Sequence, residues 1–325
     1  MSKFQDLPDE IVLKILKNLE TNKLISCGQV SQRIRRISCD SSLWVTANLE
    51  KKIVKTELLE MLLSKGCKIL NISNSTIVGS LSSNIKSQLR VLDLSQSAMD
   101  LYGPCTENIE VLEELLFLCH SLKHLEMEGL LLTPKMAVSI CKNGKTLQKL
   151  NLKHSFVDES RYPYCDEYGL DYPTPKCVQK IIKCCHELKE VDLNRSDKGL
   201  NYYDLEFLVK NIPRNIEKLK LGSSFFYDEL FEILLHRCHK IKVLSIKAEF
   251  LTDESFMMIR SLLDLTLEEL SLGSKFECLI FPSLLALKSM SKLKILNLYC
   301  GKENDQEIQF MREFLPHLKI NGVQN

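Results

Sequence analysis

The sequence predicts an α/β fold: a small N-terminal three-helix unit, then a curved parallel sheet built from about ten strand–loop–helix repeats. Three observations predict it. The spacing L-x-x-L-x-L returns along most of the chain, helix-start signals fall between its copies, and the first fifty residues carry a helical period without such a strand. The divisions that follow are residues 1–50, a linker helix over 51–66 and the repeat array over 67–325, with an insertion at 155–175.

In the first unit, Pro8 opens a helical stripe of Ile11, Val12, Ile15, Leu16 and Leu19. A second helical run covers Lys23 to Cys27. A third holds Val30, Ile34 and Ile37 and ends near Leu43 and Trp44. A unit of roughly 45 residues buries little core of its own, so its apolar stripe is an expected partner surface. Arg33, Arg35 and Arg36 read as the solvated face of the third helix.

The repeats follow. Their copies are "CKILNISNS" from Cys67, "LRVLDLSQS" from Leu89, "LKHLEMEGL" from Leu122, "LQKLNLKHS" from Leu147 and "LKEVDLNRS" from Leu188. After them come "IEKLKLGSS" from Ile216, "IKVLSIKAE" from Ile241, "LEELSLGSK" from Leu267, "LKILNLYCG" from Leu293 and "LPHLKING" from Leu315. Most steps have the length of leucine-rich repeats, and those from Leu89 to Leu122 and from Leu147 to Leu188 are longer. Within each copy, alternation places leucines inward and a polar residue outward, which is a strand period. Between copies, "TPKMAVSICKN" and "TPKCVQKIIKCCHE" each open with Thr then Pro, and "DELFEILLHRCHK" opens with an expected Asp cap. No single unit can bury its apolar face, whereas stacked units can.

Thirteen cysteines are scattered through these patterns. Cys119, Cys141, Cys185 and Cys238 each fall near a helix end just before the next strand, as small core groups. The competing reading is metal, through His236, Cys238 and His239, or Cys184, Cys185 and His186. Neither group has the four-ligand spacing of a structural zinc site, and no metal or other cofactor is expected.

Recognition residues are sought on the strand face. The outward residue between the last two apolar positions is, in order, Asn71, Asp93, Glu126, Asn151, Asp192, Lys220, Ser245, Ser271, Asn297 and Lys319. Two positions on lie Glu128, Lys153, Asn194, Lys247 and Tyr299. These are either solvated strand residues or a charged strip for a target, centred on Lys153, Asp192 and Lys220. The insertion supplies Tyr162, Tyr164, Tyr168 and Tyr172 among acids, a composition suited to a protein interface. "SAMDLYGPCTEN" is a shorter second candidate.

Several function classes are disfavoured. A net charge of +1 offers no concentrated basic excess for nucleic acid or an anionic membrane. No apolar stretch approaches a membrane span, and "MSKFQDLPDE" has no apolar signal core, so a cytoplasmic or nuclear setting is expected. There is no Gly-rich phosphate loop, no G-x-S-x-G and no H-E-x-x-H.

Leu7-Pro8-Asp9-Glu10-Ile11, Ile15-Leu16, Leu24, Val30-Ser31 and Asp40 to Trp44 resemble an F-box in order and spacing. Ile34 stands where that family often has tryptophan. With the repeats behind it, the chain resembles the F-box/LRR substrate receptors of SCF-type ubiquitin ligases. The resemblance implies a non-catalytic receptor that binds the Skp adaptor and, through it, cullin and the RING subunit. The adaptor contact would use Leu7, Pro8, Glu10, Ile11, Ile15, Leu16, Leu19, Leu24, Val30, Leu43 and Trp44. The repeats would hold a protein target for ubiquitination and proteasomal degradation. Likeness to family members that act on cell-cycle regulators extends the expectation to a phosphorylated target read with a Cks-type accessory protein. The alternative is a repeat scaffold without a ligase role.

Overall fold

The structure is a computed structural model describing residues 4–97, 99–100, 103–104, 106–155, 175–194, 200–222, 226–247, 251–273, 286–299, 309 and 312–323. The chain divides into two compact units, Met1–Leu130 and Leu131–Asn325.

The first unit opens with three helices, α1 (Asp9–Leu16), α2 (Thr21–Cys27) and α3 (Gln32–Ser38). Val12, Leu16, Leu24, Ile34 and Ile37 form their shared core. Ser31 starts α3 by accepting a hydrogen bond from the Ile34 amide at 3.2 Å. The third helix is shorter than its apolar spacing suggests, because it stops at Ser38. A single 3₁₀ turn, Ser41–Leu43, then carries Leu43 and Trp44 into the core. The Trp44 indole nitrogen donates to the Ser38 carbonyl at 2.7 Å, which satisfies both buried groups.

The sheet begins one repeat earlier than the leucine spacing shows. Strand β1 (Thr46–Asn48) lies inside the stretch read as purely helical, with Ala47 and Leu49 buried. The small Ala47 stands where other copies carry leucine, so the pattern was silent there. After it come β2 (Ile53–Lys55), α4 (Thr56–Ser64), β3 (Ile69–Asn71), β4 (Thr76–Val78) and β5 (Val91–Asp93). The helix expected at 51–66 is thus α4, preceded by a short strand. A hairpin of β6 (Met99–Asp100) and β7 (Gly103–Pro104) falls in "SAMDLYGPCTEN" and leads to α5 (Thr106–Phe117) and β8 (His124–Glu126). Strands β1, β3, β5 and β8 pair in parallel, with Ala47, Leu70, Leu92 and Leu125 in one register. β2 and β4 form a separate parallel pair.

The second unit comprises α6 (Pro134–Lys142), β9 (Lys149–Asn151), α7 (Pro175–Cys184), β10 (Glu190–Leu193), α8 (Tyr202–Asn211) and β11 (Lys218–Gly222). It continues with α9 (Asp228–Arg237), β12 (Val243–Lys247), α10 (Asp253–Leu263), β13 (Glu269–Gly273), β14 (Ile295–Tyr299) and β15 (Lys319–Val323). Its strands are parallel, and Leu150, Val191, Leu219, Leu244, Leu270, Leu296 and Ile320 stand in one row. Every leucine-spaced copy therefore contains a strand.

Helix starts follow the sequence at α6, where the Thr133 hydroxyl accepts from the Met136 amide at 3.2 Å ahead of Pro134. They depart from it at α9. Asp228 is the first residue of that helix and not its cap. Its carboxylate instead accepts from the Thr252 amide at 3.0 Å, from the Thr252 hydroxyl at 2.6 Å and from the Ser255 hydroxyl, tying α9 to the start of α10.

The last copy also departs. Leucine spacing aligns Leu318 with Leu296, whereas the structure pairs Ile320 with Leu296, a slip of two residues. Because side chains alternate with period two, the buried face survives the slip. Asn321, not Lys319, thereby stands beside Asn297 and donates to its Oδ1 at 2.7 Å.

Candidate functional site

Two surfaces carry the sequence candidates: the N-terminal helices and the outward faces of the strands. On the helices the structure divides the set. Leu16, Leu24, Leu43 and Trp44 are buried and hold the helices together, and Leu7 and Leu19 are half-buried. Pro8, Glu10, Ile11, Ile15 and Val30 are exposed, with Val30 at 76% and the two isoleucines near 40%. Ile11 and Ile15 are one helical turn apart on α1, so they share a face.

The start of α1 is clasped by α3. Arg33 donates to Asp9 Oδ1 through Nε at 2.9 Å and Nη2 at 2.7 Å, and also to the Leu7 carbonyl. Arg36 reaches Asp9 Oδ2 at 2.7 Å. Arg35 donates to the Gly28 carbonyl at 3.0 Å. Arg35 and Arg36 are exposed, as a solvated face requires, and Arg33 is half-buried; Arg33 and Arg36 in addition fasten the Leu-Pro-Asp start, because the helical turn places both over α1. Hydrogen bonding from Arg33, and then from Arg36, holds the Asp9 carboxyl below the ordinary carboxylate range.

On the strands of the first unit, the outward residues shape the turn that follows. Asn48 Oδ1 accepts from the Glu50 amide, Asn71 Oδ1 from Ser73 and Asp93 Oδ1 from Ser95, at 3.0, 2.8 and 2.9 Å. A left-handed residue then follows in each copy: Lys51, Asn74 and Gln96, with φ of 57°, 54° and 57°. Glu126 is one methylene longer than Asp, and its copy places Gly129 at the left-handed position, φ 71°. Asp93, Glu126 and Glu128 are all half-buried.

The second unit repeats the device. Asn151 Oδ1 accepts from the Lys153 amide at 2.9 Å and Asp192 Oδ1 from Asn194 at 3.0 Å. His154 takes the left-handed position. Asp192 also pairs with Lys220 at 3.1 Å across β10 and β11. Two residues earlier on the same face, Glu190 bridges Lys149 at 2.9 Å and Lys218 at 3.4 Å. The middle of this face is therefore a lattice of mutually paired charges, centred on residues that the sequence reading passed over. The period-two rule could have found Lys149, Glu190 and Lys218, since they sit two positions before the chosen ones. Farther along, the row of Ser245, Ser271 and Asn297 is uncharged, with both serines buried and Asn297 donating to Glu269 at 2.9 Å and Ser271 at 3.0 Å. Tyr299 lies on β14 opposite Gly273 and Val323. Tyr162, Tyr164, Tyr168 and Tyr172 lie outside the described residues.

At the lower edge of the sheet a second charge row alternates in sign. Lys242 pairs with Glu217 at 2.7 Å and Lys294 with Glu268 at 2.8 Å. The Lys242 bond lowers the Glu217 carboxyl below its usual range, and that bond in turn raises Lys242.

The thiols are core groups. Cys67, Cys119, Cys185 and Cys238 are fully buried, and burial pushes Cys119 and Cys185 up to about 12 and Cys67 and Cys238 to about 11. Cys141 differs from this set, being half-buried on α6. Gly144 occupies the corresponding helix-end position, because a β-carbon there would meet the Cys184 carbonyl oxygen at 2.3 Å. Among the described residues, no three His, Cys, Asp or Glu side chains are grouped to hold a metal ion. No helix of the described residues is long and apolar enough to cross a membrane.

Residues 4–50 match the F-box-like family model. A chain of the crystal structure of the Rad7 and Elc1 complex in yeast is similar to this one at a TM-score of 0.50 and 16% identity. That match covers 97% of this chain and 88% of the other, and at such identity the likeness is one of fold. The molecule thus carries an F-box-like helical domain followed by leucine-rich α/β repeats.

Proposed function

We propose that this chain is the substrate-recognition subunit of an SCF-type ubiquitin ligase. Residues 4–50 dock the Skp adaptor, cullin and the RING subunit join through it, and the outward strand face holds a protein target. One observation carries the reading: an F-box-like domain that leaves Pro8, Ile11, Ile15 and Val30 exposed heads a parallel-strand repeat fold. In such an assembly the receptor performs no bond-making step. It holds a target lysine near an E2-bound ubiquitin thioester, and the gain is one of effective concentration.

The finer reading rests on sequence likeness. "LPDEI", "DSSLW", "LRVLDLSQS", "LKHLEMEGL" and "LPHLKIN" resemble the S-phase kinase-associated F-box/LRR protein. They support a cell-cycle regulator as target, phosphorylated and read with a Cks-type accessory protein, then degraded by the proteasome.

The test is a pull-down from native cell extract, comparing the full chain with an Ile11→Asp/Ile15→Asp variant. Point changes are preferred to deleting residues 1–50, because that deletion would strip β1 from β3. Skp adaptor and cullin should accompany the wild type and be lost from the variant at an unchanged melting temperature. If neither accompanies the wild type, the chain is a repeat scaffold without a ligase role.

A further inference from the structure

The ends of α8 and α9 border a shallow, open cleft of about 550 Å³ on the helical side of the second unit. Its polar walls are Lys210, Arg214, Glu232, His236, Arg237 and His239. The two histidines come from the "HRCH" stretch that offered a metal reading. The structure separates them from its thiol: Cys238 is buried with its sulfur 3.7 Å from the Pro213 carbonyl, while His236 and His239 are exposed.

Basic residues at helix ends have an ordinary use, since they offset the partial negative charge of the last carbonyls. That accounts for part of the cluster. Arg237 donates through Nε to the Ile212 carbonyl at 2.5 Å, one residue past α8. Lys210 is paired with Glu206 at 2.6 Å, and His236 lies 3.7 Å from Glu232. Two groups are left over. Arg214 and His239 make no hydrogen bond or ion pair among the described residues. The Nε contact also pins the Arg237 guanidinium and leaves its terminal nitrogens without a carboxylate partner among those residues. Of the nearby carboxylates, Glu206 is held by Lys210, and Glu232 lies against His236 in a contact that is an ion pair only with a protonated imidazole. A pre-positioned guanidinium, a second unengaged one and an imidazole stand around one cleft, whose single carboxylate is Glu232.

We infer that this cleft binds a phosphate monoester. Arginine forks match phosphate oxygens in paired hydrogen bonds, and arginine keeps its charge throughout the working pH range. The volume exceeds what a bare phosphate needs and suits an organic carrier as well. The carrier is either a phosphorylated protein side chain or a free small phosphate. The inference is independent of adaptor docking, which uses the other unit.

The experiment titrates the full chain by calorimetry with inorganic phosphate, with a Gly/Ser peptide bearing one phosphoserine, with the same peptide unphosphorylated, and with sulfate. The wild type should bind a phosphate-bearing probe, and Arg214→Ser with His239→Gln should weaken it by roughly tenfold or more, the loss expected for charge-assisted hydrogen bonds. The melting temperature of this exposed double variant should not change. A tighter phosphopeptide identifies a protein-borne source, and equal affinity for inorganic phosphate identifies a free one. Sulfate binding as well as phosphate, or unchanged affinity in the double variant, shows an adventitious ion only and overturns the assignment. A lowered melting temperature with unchanged phosphate affinity also overturns it, by reducing the cluster to helix capping.

Discussion

Two guanidinium groups converge on the carboxylate of Asp9, and the start of the F-box-like domain depends on that charge. Its folded-state titration is depressed by Arg33 first and Arg36 next. A depressed carboxylate stabilises the fold above the unfolded-state value, about 3.9, and the contribution is lost as pH falls through the folded value. Replacing Asp9 with Asn should therefore lower the melting temperature near pH 7, and the deficit should shrink and vanish as pH falls through the folded-state value. An equal deficit at both pH values would show that shape, not charge, matters there. The cysteines give a second prediction at this scale. Cys39 is exposed, whereas Cys67, Cys119, Cys185 and Cys238 are buried with raised titration. Iodoacetamide at pH 8 should modify Cys39 within minutes and leave those four intact until the chain unfolds, as read by peptide mapping. Labelling of Cys119 in the folded protein would contradict its place in the core.

The copies of Asn48, Asn71, Asp93 and Asn151 close in the same way: an inward pair of apolar residues, an outward Asn or Asp that caps its own turn, and a left-handed residue after it. This alters how the outward residues are understood. Asn71, Asp93, Asn151 and Asp192 looked like recognition residues because they are polar and regularly spaced. Regular spacing is equally what a turn requirement imposes, and the side-chain oxygens are used on the adjacent amide. Helix packing gives the prediction at this scale. α6 approaches α7 so closely at Gly144 that any β-carbon would overlap the Cys184 carbonyl oxygen. Gly144→Ala should destabilise the second unit by about 1–3 kcal/mol, because backbone must move to admit the methyl group. A denaturant midpoint equal to wild type would mean that the two helix ends are not in contact in solution.

An array of repeats is held by neighbours, so its stability is distributed and its edges are weakest. β15 is an edge strand that pairs with β14 alone, through a register two residues away from the one its leucines suggest. Amide hydrogen exchange should be fastest at Lys319–Val323 and slowest across β11, β12 and β13, each flanked on both sides. Protection at β15 equal to that at β12 would mean that another element covers this edge. The receptor reading belongs to this scale too, since it needs an exposed adaptor face on the helices and an open strand face on the repeats within one chain.

The sequence by itself determined the strand count of the leucine-spaced copies, the identity of their buried leucines and the presence of three N-terminal helices. These follow from periodicity, which the order of residues along the chain encodes directly. It missed β1, where Ala47 replaces a leucine, and it set the last register two residues off, because alternation cannot distinguish a slip of two. Only the tertiary structure decided that Leu16, Leu24, Leu43 and Trp44 lie inside while Ile11, Ile15 and Val30 face outward. It alone joined Arg33 and Arg36 to Asp9 and Glu190 to Lys149 and Lys218, and brought Arg214 and His239 to one cleft. Those partners are brought together by strand register, loop length and helix packing, which no local pattern of residue types specifies.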